Sequence, residues 1–268
     1  MTCPKGYTVS SKGCENDFSD HARILKVTDL LEVRDLTRTF GGLRAVNGLS
    51  FHVGEGETVG LIGPNGAGKT TVFNLIMNEL RPDSGEIFFK GEAISRYPTH
   101  ERVKLGIART YQVPRPFAEM TVGENIRVGM LPDNLWKMVT EEAEEALETE
   151  IGRSVGFNNH QIAQRPSELA MGDLRRLELA RTLAVQPSLL LLDEVFAGLT
   201  LGEIDQISEL LVERKKHGLT YVMVSHDLRS MAPLVDRVIA ISFGEIITEG
   251  TFNEVVNNKT VQEAYLGQ

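Results

Sequence analysis

From Leu30 onward apolar and polar positions alternate. Leu31 and Val33 form one set, and Leu49, Phe51 and Val53 another. A period of two predicts strands over 31–36 and 45–53, antiparallel, each with one buried face. The pattern then changes to a short apolar, β-branched run, Glu57–Ile62, followed by apolar residues at helical spacing over 70–77. Gly85–Gly91 returns to strand and turn. Gly106–Gln112 reads as a strand that runs into a proline-broken loop, Val113–Phe117. From about Ala118 to Glu168 helical periodicity dominates, with dense acid over Thr140–Glu148 that reads as a solvated helix face. A helix over Leu174–Ala184 places Leu174, Leu177, Ala180 and Ala184 on one face and turns its arginines mostly outward. Leu189–Leu192 is unbroken leucine, which predicts a strand buried on both faces. A helix over Leu201–Lys216, a strand over Thr220–Ser225, a hairpin turning at Gly244 and a short helical end complete the chain. The order predicts an α/β core that carries an antiparallel β part and an inserted helical lobe.

Length and charge narrow the picture. A chain of 268 residues buries a sizeable core. Its net charge of −9 argues against nucleic acid as a partner, because phosphate backbones reward basic surfaces. No apolar run approaches the roughly twenty residues of a membrane span, and the start has no apolar signal core. The expectation is a cytoplasmic protein that meets a membrane only through partners. Residues 1–28 are polar and without period, which predicts a disordered tail ahead of a single domain over 29–268. Cys3 and Cys14 both fall in that tail and read as inert thiols.

The chemistry concentrates between the third predicted strand and its helix. Gly63, Pro64, Asn65, Gly66, Ala67, Gly68, Lys69 and Thr70 fit the phosphate-loop pattern G-x-x-x-x-G-K-[ST] in its strand–turn–helix context, with Thr71 next on the helix. Glycines let the backbone turn N–H groups inward, and the helix N-terminus adds partial positive charge. Lys69 is placed to reach the β- and γ-phosphates of a nucleotide, and the Thr70 hydroxyl to hold Mg²⁺. The leucine strand ends in Asp193 and Glu194, at the sheet edge where α/β proteins bind ligands. Asp193 suits the magnesium-binding carboxylate of such sites, and Glu194 a general base for an attacking water. Three further residues are ambiguous on their own. Gln112 is either a surface amide or a ligand for Mg²⁺ or water. His226, at a strand end, is either a cap or a contact to a γ-phosphate. Phe40 is either a core aromatic or a platform for a base. Gly172, at the start of the Leu174–Ala184 helix, is a weak second anion site.

Taken in order, these parts resemble the nucleotide-binding subunits of ABC transporters over nearly all of Leu30–Leu266. The resemblance implies a P-loop NTPase (RecA-like) core with an antiparallel β subdomain and a helical subdomain over about 113–172. It gives Phe40 the adenine-stacking place and makes Gly63–Thr70 the Walker A motif and Gln112 the Q-loop glutamine. Leu169–Asp173 takes the place of the signature, Leu189–Asp193 that of Walker B, Glu194 that of the catalytic glutamate, Ala197–Thr200 that of the D-loop and His226 that of the switch histidine. It implies ATP and Mg²⁺ as cofactors and head-to-tail dimers with a second ATP-binding subunit. Transmembrane permease subunits and, indirectly, a solute-binding protein complete the implied assembly, which sits at the inner face of the membrane. Phe40–Val46, Tyr111–Phe117 and Glu263–Gly267 are similar to the branched-chain amino acid uptake group. Importers of urea or short amides share much of that text, a lipopolysaccharide-export ATPase has a similar ending, and an iron–sulfur assembly ATPase is the non-transport rival. Two departures stand out. Ala170, Met171 and Asp173 replace the usual Ser, Gly and Gln of the signature, which predicts a weakened site across the dimer. Val195 stands where Pro is usual after the glutamate, which predicts a looser turn.

Overall fold

The computed structural model describes residues 29–130 and 141–266. The tail expected over 1–28, with Cys3 and Cys14, and the start of the acidic run at Thr140 lie outside them. Two sheets organise the described chain. The first is antiparallel, in the order β2 (Leu43–Gly54), β1 (Asp29–Phe40), β4 (Ser84–Phe89), β5 (Glu92–Ala93). The alternation that predicted its two leading strands is what the burial pattern follows: Leu31, Val33, Leu49 and Val53 are buried. Both strands run longer than the periodicity marks, and β1 extends to Phe40 before turning at Gly41–Gly42.

The second sheet is ordered β10 (Glu245–Gly250), β9 (Arg237–Ser242), β3 (Thr58–Ile62), β8 (Thr220–Val224), β7 (Leu189–Asp193), β6 (Ile107–Arg109). The pairs β9–β3, β3–β8, β8–β7 and β7–β6 are parallel, and β10 closes the edge antiparallel to β9. Its central strands are buried on both faces because each face meets its own core. Leu189 and Leu191 pack with α1 (Lys69–Ile76) and the antiparallel sheet. Leu190 and Leu192 join the cluster beneath the helical elements. Side chains alternate across a strand, so four leucines in a row are what a sheet between two cores requires.

Between β6 and β7 the described elements are helices, α3 (Val122–Met130), α4 (Glu141–Ser154), α5 (Asn159–Ile162) and α6 (Met171–Ala184), and α2 (Thr99–Leu105) lies ahead of β6. On α6 the structure departs from the expected outward arginines: Arg176 is buried, paired with Asp173 and 5.0 Å over the Phe157 ring. α7 (Leu201–Lys216) begins where its cap dictates. The Thr200 hydroxyl accepts the Glu203 N–H while the Glu203 carboxylate accepts the Thr200 N–H, a reciprocal pair worth about 1 kcal/mol. The short α8 (Leu228–Met231) leads back to β9, and α9 (Phe252–Val256) and α10 (Lys259–Leu266) close the described chain.

Candidate nucleotide site

The loop between β3 and α1 is shaped by backbone crowding. A Cβ on Gly63 would sit 2.1 Å from the Ile241 carbonyl oxygen, and one on Gly68 2.3 Å from that of Ala45. Gly68 also has φ +106°, so only glycine serves there. The loop's own lysine folds back over it. Lys69 Nζ donates to Gly63 O at 2.5 Å and Pro64 O at 2.9 Å. Burial pushes the Lys69 ammonium pKa down, and the Glu194 and Asp193 carboxylates oppose that push.

An open cleft of about 220 Å³ lies over this loop. Residues 65–71 line it together with Ala45, Gln112, Glu194 and His226. Four separate loops thus deliver their polar side chains to one place. Glu194 follows the last residue of β7 and has φ +52°, a left-handed backbone that costs a non-glycine residue about 1–3 kcal/mol and collects at functional sites. Its N–H donates to Val224 O at 2.9 Å, and its carbonyl accepts the Ala197 N–H at 3.0 Å. Val195 is 3% exposed, packed beneath the turn that these bonds close. His226 Nε2 lies 2.7 Å from Glu194 Oε1, which orients the carboxylate within the cleft.

The other anticipated residues are placed differently. Asp193 sits behind the cleft, buried, with Oδ2 accepting from Arg109 Nη2 at 2.8 Å and its N–H donating to the Thr110 hydroxyl at 3.0 Å. Phe40 ends β1, half-exposed, with the Arg38 guanidinium 4.9 Å from its ring centre, and it does not line the cleft. Gly172 opens α6, also away from the cleft, where Ala170 at the cap supplies no side-chain bond and Met171 is 61% exposed.

Two residues at the site carried no role in the sequence reading. Arg109 holds Asp193 and also donates to Asn74 Oδ1 at 2.5 Å and Glu79 Oε2 at 3.1 Å, tying β7 to the far end of α1. An arginine inside a strand otherwise built of buried residues was the available signal, since a buried cation needs an acid beside it. Tyr265, on the last helix, accepts the Gly63 N–H on its phenol oxygen at 2.8 Å. No local pattern connects positions so far apart in sequence.

The strand, the glycine loop with its lysine and the facing carboxylate define a phosphate-loop nucleotide-binding domain. A model of the ABC transporter family matches residues 46–197, and one described as branched-chain amino acid ATP-binding cassette transporter matches 245–268. The chain belongs to the ABC transporter family. It is 38% identical over 252 residues to the high-affinity branched-chain amino acid transport ATP-binding protein LivG of Salmonella typhimurium, covering 89% of this chain and 98% of that protein. BraF of Pseudomonas aeruginosa, of the same description, is 38% identical over 250 residues, again 89% and 98%. Among solved structures, a nucleotide-free ATP-binding cassette from an ABC transporter matches with a TM-score of 0.79 at 29% identity, over 90% of this chain and 100% of that one. A cassette in its ADP conformation matches with the same TM-score and identity. The chain is accordingly the nucleotide-binding, ATP-hydrolysing subunit of a transport system and works with membrane partners. Among the described residues no helix is long and apolar enough to cross a membrane.

Proposed function

We propose that this chain powers an importer of branched-chain amino acids from the inner face of the cell membrane, where it is peripheral and cytoplasmic. The observation that carries the site assignment is the convergence of the phosphate loop, Gln112, Glu194 and His226 on one cleft, with Glu194 and His226 in hydrogen-bond contact. The 38% identity to LivG and BraF and the match over 245–268 support the solute class. The solute itself is selected by other subunits.

In this reading 29–268 is one ATP-binding domain whose helical lobe spans about 113–172. ATP lies with its phosphates over residues 63–71 and its adenine against Phe40. The donors Thr70, Gln112 and Asp193 offer oxygens only, a set that fits Mg²⁺ bound jointly with phosphates. When bound, the ion neutralises charge developing on the β- and γ-phosphates. Among the described residues no cluster of three or more His, Cys, Asp or Glu exists to hold a metal by protein alone, in keeping with that sharing. Glu194 accepts a proton from the attacking water, and His226 keeps its carboxylate facing the γ-phosphate. Lys69 exchanges its two loop carbonyls for phosphate oxygens. Two such subunits, identical or different, close head to tail, and the first turn of α6 with Gly172 meets the partner's ATP. The transmembrane permease is driven through the loop at Gln112 and the helical lobe, and a solute-binding protein delivers to it from the other side.

The test is Glu194→Gln. It keeps the side chain's size and removes its basicity, so hydrolysis falls by about 10²–10⁴-fold while calorimetric ATP affinity persists. Hydrolysis at the wild-type rate removes Glu194 from the mechanism.

A further inference from the structure

The side chains proposed to share Mg²⁺ with ATP include two on different elements: Thr70 on the first turn of α1 and Asp193 at the end of β7. One buried side chain connects those elements behind the cleft. β6 pairs with β7 so that Arg109 lies opposite Leu191, two residues short of Asp193. Leu191 packs toward α1, and side chains two apart share a face of a sheet. Arg109 and Asp193 therefore emerge together on the α1 side. The Arg109 side chain is 3% exposed and spans the gap. Nη2 donates to Asp193 Oδ2 at 2.8 Å, and Nη1 donates to Asn74 Oδ1 at 2.5 Å and Glu79 Oε2 at 3.1 Å. Asn74 stands four residues after Thr70, one turn on along the same face of α1. A planar guanidinium bonded at both tips holds its partners at a fixed spacing, which the point charge of a lysine does not. Arg109 itself does not line the cleft.

We propose that Arg109 is a positioning residue for the metal of the nucleotide site. By clamping Asn74 on α1 to Asp193 on β7, it sets the spacing of the Thr70 hydroxyl and the Asp193 carboxylate. That spacing in turn sets the affinity of the protein–ATP complex for Mg²⁺. The ion demands near-ideal octahedral geometry, so it is sensitive to where its donors stand. Carboxylates at metal sites are themselves held by hydrogen bonds, and losing such a partner costs about 10–100-fold in metal affinity. The phosphate loop lies before the clamp and is shaped by its own glycines and Lys69, so ATP without metal does not depend on Arg109. The inference rests on the reading of the cleft as an ATP site, and its test separates the two.

Arg109→Lys and Asn74→Ala are made in the full chain. The first keeps a cation beside Asp193 but loses the fork that spans to Asn74. The second leaves the Arg109–Asp193 pair whole and removes its bond to Asn74 on α1. ATP affinity is read by calorimetry twice, in EDTA and in excess Mg²⁺, and melting temperature is read without ligand. The ratio of the two affinities, compared between variant and wild type, isolates metal binding to the protein–ATP complex, because metal binding to free ATP is common to both. In EDTA both variants bind ATP as the wild type does. In Mg²⁺ the affinity falls about tenfold or more for Arg109→Lys, and about three- to tenfold for Asn74→Ala, the worth of one hydrogen bond. A wild-type ratio in Asn74→Ala overturns the clamp. So does an equal loss in EDTA and in Mg²⁺ with a lowered melting temperature, which makes Arg109 a support of the core alone. If Arg109→Lys does not fold, Asn74→Ala decides the question by itself. A wild-type protein that binds no ATP in either condition overturns the nucleotide reading, and this inference with it.

Discussion

Arg102 shows how much a single side chain can decide. It is fully buried and donates to four main-chain carbonyls, those of Leu75, Ile76, Ile94 and Tyr97. Two of these belong to the last turn of α1, whose carbonyls lack partners in the helix itself. Burial lowers the guanidinium pKa to about 10, a measure of the desolvation that the carbonyls offset. Arg102→Met keeps the volume and strands those oxygens at about 1–3 kcal/mol each, so stability drops by at least about 3 kcal/mol in urea unfolding. Arg102→Lys recovers part of it, and a loss below about 1 kcal/mol in the methionine variant means that water reaches the carbonyls. A second residue-scale test concerns Phe40. Its ring is stacked on one face by Arg38 and half-exposed, so the other side is open to a base. Phe40→Ala then weakens ATP by about 1–3 kcal/mol and leaves inorganic triphosphate unchanged, and equal losses by calorimetry make Phe40 a packing residue alone.

At the scale of elements, the junction of the two sheets is an ion network. Arg237 at the start of β9 pairs with Glu57 ahead of β3 at 2.8 Å and with Glu249 on β10 at 2.9 Å, and donates to His52 O on β2 at 2.7 Å. Burial raises the Glu57 carboxyl pKa, but the hydrogen bonds from Arg237 and the Gly54 N–H outweigh it, and the net shift is below the 4.5 of a free glutamate. A carboxyl lowered on folding adds stability that is present above its unfolded pKa and disappears as pH falls through its folded value. The melting-temperature gap between wild type and Glu57→Gln is therefore largest near neutrality and closes below pH 4.5. A gap that widens in acid contradicts the pairing. Nothing in the sequence signals this network, because its members stand far apart and only the closed sheets bring them together. The elements themselves were legible wherever periodicity was sustained. The Leu201–Lys216 helix and the Leu189–Asp193 strand fall where the pattern put them, since one has a capping box and the other sits between two cores. Arg176 was misread because helical spacing alone does not reveal the acid and aromatic ring that bury it.

At the scale of the molecule, the end of the chain returns to its most constrained loop. The Tyr265 phenol oxygen accepts the Gly63 N–H at 2.8 Å, so α10 braces the first residue of the phosphate loop across 202 positions of sequence. Gly63 has no room for a side chain, and the loop is otherwise fixed by Lys69 on its own carbonyls. If Lys69 turns to phosphate as proposed, the Tyr265 bond does not depend on it and is expected to persist. The motif residues could be read from sequence because they are contiguous, and the brace could not, because its partner is supplied by topology. Tyr265 is 38% exposed, and burial raises its phenol pKa while the Gly63 N–H lowers it, with a net rise. The group therefore stays protonated and neutral through the physiological range. Tyr265→Phe keeps the ring packed and removes the acceptor, leaving the Gly63 N–H to water. The loss of about 1 kcal/mol of net hydrogen bonding lowers ATP affinity about fivefold, provided the brace is needed more in the nucleotide-bound loop than in the empty one. Melting temperature without nucleotide changes little, and the stabilisation by saturating ATP is smaller than in wild type. Tyr265→Ala, which also removes the ring, lowers both. Calorimetry and melting curves with and without ATP distinguish these cases, and an unchanged affinity in Tyr265→Phe means that α10 only covers the loop.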